Sequence, residues 1–206
     1  MRAVAMRAVA ALAFVAASFA LAQDSIAIPA FSSFAPGAQL PPGWRSQRLP
    51  KAAPAKLALV IEEGATVLRV RSSAAAGGVV HALDAGAAAA PRSMLSWRWK
   101  VDRVVEGADM TRRAGDDFAA RVYVFFDVPA DELAIGERLR ILLARILYGE
   151  RLPTAGICYV WDNRHPPGTT AWSPFTNRIR MVVVESGSAR AGQWSCLLYT
   201  SPSPRD

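Results

Sequence analysis

Asp116 and Asp117 form an adjacent carboxylate pair that follows Gly115 and precedes the apolar run 118–126. Carboxylate oxygens coordinate hard cations such as calcium and accept hydrogen bonds from sugar hydroxyls, so the pair is the first candidate for a binding site. Arg112, Arg113 and Arg121 flank it. A local ion pair or a turn cap would therefore use the same oxygens for structure instead. As a catalytic couple the pair is poorly placed, because adjacent strand residues point to opposite faces. A glycosidase needs two carboxylates converging at about 5–9 Å. Glu185 supplies a second acid only if the fold carries it across. Trp97, Trp99, Tyr123, Tyr159, Trp161 and Trp172 are the aromatics able to stack on a sugar ring. Most belong to strands, whereas Trp172 lies in the Pro- and Gly-rich stretch 162–177 and is expected to be exposed. The ligand-binding candidates are thus Asp116, Asp117, Arg121 and Trp172.

Other chemistries find little support. His81 and His165 are the only histidines and lie far apart, with no zinc spacing. Ser186, in Glu185-Ser186-Gly187, lacks the glycine two residues earlier that a nucleophile elbow requires. There is no phosphate-binding loop and no dinucleotide fingerprint. No cofactor is expected, calcium being the one ion considered. Cys158 sits in an apolar run, Ile157-Cys158-Tyr159-Val160-Trp161, and reads as a small buried hydrophobe rather than a reactive thiol.

These residues ride on a β-rich pattern. Residues 57–61 and 66–71 bracket Glu62-Glu63-Gly64-Ala65, which reads as a hairpin, with Leu68 and Val70 alternating against Arg69 and Arg71. A short strand is expected over 77–83 and a small-residue connector over 85–91. Over 94–101, Leu95, Trp97, Trp99 and Val101 share one face, while Ser96, Arg98 and Lys100 share the other. Residues 102–114 read as a polar loop. Residues 118–126, 157–161 and 179–185 read as further strands, with 162–177 a long loop. One amphipathic helix is expected near 131–148: Asp131 and Glu132 suit a first turn, and Ile135, Leu139, Leu142, Leu143, Ile146 and Leu147 recur at helical spacing.

The two ends differ in character. Residues 1–22 carry Arg2 and Arg7, an apolar run and Ala20-Leu21-Ala22 before polar Gln23, the pattern of a secretory signal peptide. The run is shorter than the ~20 residues that cross a bilayer, so export is expected rather than stable membrane insertion. The formal charge of +7 falls by two with that leader. The remaining arginines are spread along the chain, which together with export argues against nucleic acid as a partner. Residues 23–43 are rich in Pro and Ala. Residues 196–206 match, residue for residue, a conceptual translation of a transposase-type sequencing adapter. Cys196 is therefore set aside and no disulfide with Cys158 is expected. This tail is expected to have no place of its own in the fold, although its apolar start is able to pair with an open sheet edge.

The segments Leu95-Ser96-Trp97-Arg98-Trp99-Lys100-Val101, Ala114-Gly115-Asp116-Asp117-Phe118-Ala119-Ala120-Arg121-Val122-Tyr123-Val124, Tyr159-Val160-Trp161 and Arg180-Met181-Val182-Val183-Val184-Glu185-Ser186-Gly187 together resemble a bacterial family, the domain of unknown function numbered 3047. The resemblance runs over about residues 44–194. It implies a mostly β fold, an antiparallel sandwich of the jelly-roll or galactose-binding-like type, whose C-terminal strands are missing here. It implies no activity. The expectation is a periplasmic or secreted, non-catalytic β-sandwich that binds glycan or another envelope component. The alternatives are a carboxylate-dependent envelope hydrolase and a protein-interaction domain.

Overall fold

A computed structural model describes residues 28–49, 52–83, 94–126 and 155–200. The chain divides into two compact units, Met1–Ala90 and Pro91–Asp206. The helix expected near 131–148 and the connector at 85–91 lie outside the described residues. Among the described residues the regular structure is mostly β, with two short 3-10 turns, and no helix is long and apolar enough to cross a membrane.

In the first unit, β1 (Trp44–Arg48), β5 (Ala75–His81) and β2 (Ala53–Pro54) form one sheet in the order β1-β5-β2, and β3 (Lys56–Glu62) pairs with β4 (Ala65–Arg71). The β3–β4 hairpin occupies the position that the sequence indicates. Glu63 and Gly64 both adopt positive φ, 51° and 79°. That backbone matches the right-handed twist of the flanking strands, which is why a glycine is useful there. The expected burial of Val70 is not found: it is 45% exposed, and the buried aliphatic of this unit is Leu59 at 4%. Leu59 is buried because Gly37 of the Pro/Ala-rich segment bridges to it, exchanging both backbone hydrogen bonds at 2.7 and 2.9 Å. Val70 has no such cover. Trp44 packs between Phe31 and His81, with ring centroids 4.6 and 5.1 Å away.

In the second unit, β7 (Arg121–Phe126), β8 (Ala155–Asp162), β10 (Thr176–Ser186) and β9 (Thr170–Ser173) form a four-stranded sheet in the order β7-β8-β10-β9. β6 (Met94–Trp99) pairs antiparallel with β11 (Ser195–Thr200). Two features differ from expectation. Residues 170–173, placed in a loop by their Pro and Gly neighbours, are strand β9. The sheet is also not wholly antiparallel, because β8 and β10 run parallel. The two differences have one cause. The chain leaves β8, returns as the outer strand β9 and turns back through Pro174 and Phe175, so β10 slots between them pointing the same way as β8.

β8 is central and covered on both faces, as a continuous apolar run in a parallel pair implies. Cys158 and Val160, with Met181 and Val183 of β10, pack under Ala108, Met110 and Phe118 from the loop that precedes β7. Ile157, Tyr159 and Trp161 face the other way, onto Trp99, Val101 and Val184. Trp97 meets Tyr159 at 5.2 Å between ring centroids, and Trp99 meets Trp161 at 5.9 Å. The alternation read over 94–101 is therefore real: Trp99 and Val101 are buried, Leu95 and Trp97 half-buried, Ser96 and Arg98 exposed. β11 lies on the β6 edge with Leu197 opposite Trp97 and packed against the same core, while Leu198 is 63% exposed. An edge strand accepts such a partner because its backbone groups are unpaired without one. Cys158 and Cys196 are both free thiols, the first buried and the second exposed.

Truncating Trp99 to Ala should cost about 3–5 kcal/mol, since the indole fills the core between the two ladders. Arg98→Ala, on the opposite face, should stay within about 0.5 kcal/mol of the parent. Equilibrium unfolding in urea separates the two; equal losses would show that the faces are misassigned.

Candidate functional site

The four residues singled out by sequence do not gather in one place. Asp116 and Arg121 do: the guanidinium Nη1 lies 3.2 Å from Asp116 Oδ1 and 3.2 Å from the Tyr123 hydroxyl. Asp117 is exposed, and its side chain makes no hydrogen bond with the described residues. Trp172 is on β9, at the far edge of the sheet. It sits directly opposite Arg180, whereas Arg121 lies in register with Val160, a residue of the opposite face.

The acidic pair is held by close backbone contact. A short 3-10 turn, Arg113–Gly115, precedes it, so β7 begins at Arg121 rather than at Phe118. Gly115 accepts hydrogen bonds from the amides of Asp109 and Asp117, both at 2.8 Å. A Cβ on Gly115 would stand 2.7–2.9 Å from Asp109 backbone and Cβ atoms, so no larger residue fits. Asp109 itself is buried, with Oδ1 accepting from the Thr111 amide at 3.0 Å and from its hydroxyl at 2.6 Å. Those two hydrogen bonds, the hydroxyl first, hold its pKa below the usual carboxylate value.

Burial pushes the Asp116 pKa up, and the charge and hydrogen bond of Arg121 oppose the shift only in part. Burial likewise pushes the Cys158 thiol up to about 12, against a hydrogen bond from Tyr123 and the charge of Arg121 that act the other way. Cys158 is therefore an inert apolar side chain at neutral pH, in line with its apolar run. Arg121 spans this group, its guanidinium 5.5 Å from the Phe118 ring and 5.9 Å from the Tyr123 ring. The cluster has the marks of a structural ion pair seated on the core. Among the described residues, no group of three or more His, Cys, Asp or Glu side chains is placed to hold a metal ion. Asp116 is directed at a guanidinium, not at its neighbour Asp117.

One polar cluster escaped the sequence reading. Asp162, at the end of β8, is fully buried and accepts from the Asn163 amide at 2.8 Å, the His165 amide at 3.2 Å and His165 Nδ1 at 2.6 Å. The Nδ1 contact with the carboxylate leaves Nε2 as the ring nitrogen turned away from Asp162. A carboxylate three residues ahead of a histidine at a strand end is the local signal for such a turn, as aspartate favours bonding to backbone two or three residues on. The arrangement is also the one that orients a general base or a metal-ligating histidine. Among the described residues no group of three such side chains forms here to hold a metal, although the Asp109 carboxylate lies close enough to His165 to feel its charge, and the cluster locks the turn after β8. Glu185 is committed as well, to the Ser195 hydroxyl at 3.4 Å and to Arg190 Nε at 3.5 Å. A bulge at Val184 allows this, letting Val184 and Glu185 both contact the β6–β11 side.

What remains exposed is aromatic. Trp172 is 53% exposed and Phe175 57%. Arg180 lies over the Trp172 ring at 5.1 Å and donates to Thr170 Oγ1 at 2.7 Å. Arg113 lies over Phe175 at 5.5 Å and donates through Nε to the Pro174 carbonyl at 2.9 Å. Tyr123 and Phe125 stack at 5.1 Å on β7, with the Phe125 ring occupying the space above Gly156. The expected exposure of Trp172 thus holds, on a strand rather than on a loop.

The model of the family described as protein of unknown function, DUF3047, matches residues 42–197, and the chain belongs to that family. No curated protein and no solved structure matches the chain.

Two outcomes are expected of the polar clusters. Gly115→Ala should destabilise by roughly 2–3 kcal/mol through overpacking against Asp109 backbone, read in a denaturant titration. The pH response of Asp116 has a definite sign. Its folded pKa is raised, so its contribution favours the fold below the unfolded carboxylate pKa and is lost as pH rises through the folded value. Asp116→Asn lacks that loss, so its melting temperature relative to the parent should rise between pH 3 and pH 6, with pH 3 and pH 6 chosen as about one unit below and two units above a free Asp. A constant difference would mean that burial does not govern this carboxylate.

Proposed function

We propose that the protein is an exported, non-catalytic β-sandwich domain that binds glycan of the cell envelope, in the periplasm or outside the cell. The observation that carries this reading is Trp172. It is more than half exposed on the edge strand β9, yet its ring is held in place by Arg180, directly opposite on β10. Scattered surface apolar residues need no explanation. A tryptophan and a phenylalanine presented by one hairpin, each beside a guanidinium, are the kind of local cluster that marks a binding surface. An indole face accepts a sugar ring, and Thr170 and Arg180 lie within reach of its hydroxyls. The sandwich assignment is supported by the packing of Trp97 and Trp99 on Tyr159 and Trp161. The export assignment is supported by the pattern of residues 1–22.

A hydrolase reading finds less support. It needs two carboxylates converging on a substrate. Asp109, Asp116, Asp162 and Glu185 are each engaged by Thr111, Arg121, His165 and Arg190 respectively. Asp102, Glu106 and Asp117 are exposed.

Trp172→Ala should weaken glycan binding by about tenfold or more, equivalent to ~1.4 kcal/mol, while shifting stability by less than about 1 kcal/mol because the ring is already exposed. Affinity electrophoresis through gels loaded with neutral and acidic polysaccharides, beside thermal melts, gives both numbers. Retardation of the parent that survives the substitution would move the site elsewhere. No retardation by any polysaccharide would remove the glycan reading in favour of a protein-interaction domain.

A further inference from the structure

The β9–β10 hairpin is cationic as well as aromatic. Between Asp162 and Glu185 the chain contains no aspartate or glutamate, but it contains Arg164, Arg178 and Arg180. Three described arginines are neutralised by carboxylates: Arg69 by Glu62 at 3.0 Å, Arg121 by Asp116 at 3.2 Å and Arg190 by Glu185 at 3.5 Å. Arg180 and Arg113 have no carboxylate partner among the described residues. Each makes one neutral hydrogen bond, to Thr170 or to the Pro174 carbonyl, and each lies over an exposed ring. A guanidinium carries five N–H donors in a planar fork, so both retain donors after those bonds are counted. The rings and neutral bonds fix the two side chains in place, which lowers the entropy lost when an anion arrives.

We propose that this hairpin selects acidic polysaccharide, specifically chains bearing sugar carboxylates, with Trp172 stacking on a sugar ring and Arg180 and Arg113 pairing with carboxylates. The proposal rests on the glycan reading above and narrows it. Guanidinium and carboxylate match as planar, two-point partners, which a neutral hydroxyl does not. Single-stranded nucleic acid offers the same combination of rings and negative charge. The leader pattern of residues 1–22 favours polysaccharide, since an exported domain meets glycan rather than nucleic acid.

The test uses the whole chain and three probes: polygalacturonate, neutral dextran and a single-stranded oligothymidylate, each titrated calorimetrically at low and high salt. Polygalacturonate should bind about tenfold or more tightly than dextran, and the preference should shrink as added salt screens exposed charge. Arg180→Gln keeps a donor for Thr170 but removes the charge. It should weaken polygalacturonate binding far more than dextran binding and so lose most of the preference. Arg180→Lys should retain part of the preference and its salt dependence. Arg113→Gln is the independent variant should Arg180→Gln lower the melting temperature. Equal binding of dextran and polygalacturonate would overturn the selection while leaving a glycan-binding protein. Tighter binding of the oligothymidylate would overturn it in favour of nucleic acid. Failure of both polysaccharides would remove the glycan reading together with it.

Discussion

The second unit depends on the complete burial of β8. Its side chains alternate between two cores: Cys158 and Val160 beneath the loop that carries Ala108 and Met110, and Ile157, Tyr159 and Trp161 against the Trp97–Trp99 face. Burying aromatic side chains of this size supplies a large share of a domain's hydrophobic stabilisation. It also sets register. A slip of one residue would exchange the two faces of β8 and drive Tyr159 and Trp161 into the space that Cys158 and Val160 fill.

That constraint explains where the carboxylates went. Asp162 lies at the end of β8 and is drawn fully inside with it. A buried carboxylate is tolerated only when its acceptors are matched, and the amides of Asn163 and His165 with the imidazole Nδ1 match them. Glu185 follows the bulge in β10 and takes Ser195 and Arg190. Asp116 takes Arg121, which rises from the strand beside β8. The acids nearest the core are thus used to end strands and tie loops. The sheet edge farthest from β7, on β9 and its hairpin, is where the core asks least of its side chains.

Much of this was legible along the chain. Period-two alternation marked the 94–101 strand and the inward face that carries Trp97 and Trp99, because that strand has one face on a core and one in water. The apolar run 157–161 marked a strand and an inert Cys158, whereas the apolar run 118–126, whose two faces suggest a central strand, ends in β7 at the edge of the sheet. Glu63-Gly64 marked the hairpin turn, because its backbone requirement is local. The β9 strand was missed for a physical reason. It is short, paired on one side only, and flanked by Pro167, Gly168 and Pro174, so its strand character comes from β10 and not from its own residues. The Asp162–His165 contact was missed because the histidines were weighed against each other and not against the acid three residues before one of them.

Residue order alone therefore determined the β class, the family, the buried aromatic stripe and the exposure of Trp172, all of which follow from local alternation, composition or motif. The partners of each charge were settled only by folding. Asp116 and Asp117 are indistinguishable in type and adjacent in sequence, yet one is paired with Arg121 and the other faces solvent. Trp172 and Arg121, candidates for one site, stand on opposite faces of the sheet, because Arg121 pairs with Val160 while Trp172 pairs through Arg180 with Ile157, and the strand order β7-β8-β10-β9 also places two strands between them. Strand order and register are set by long-range packing on β8, a property of the whole unit that no local window of sequence contains.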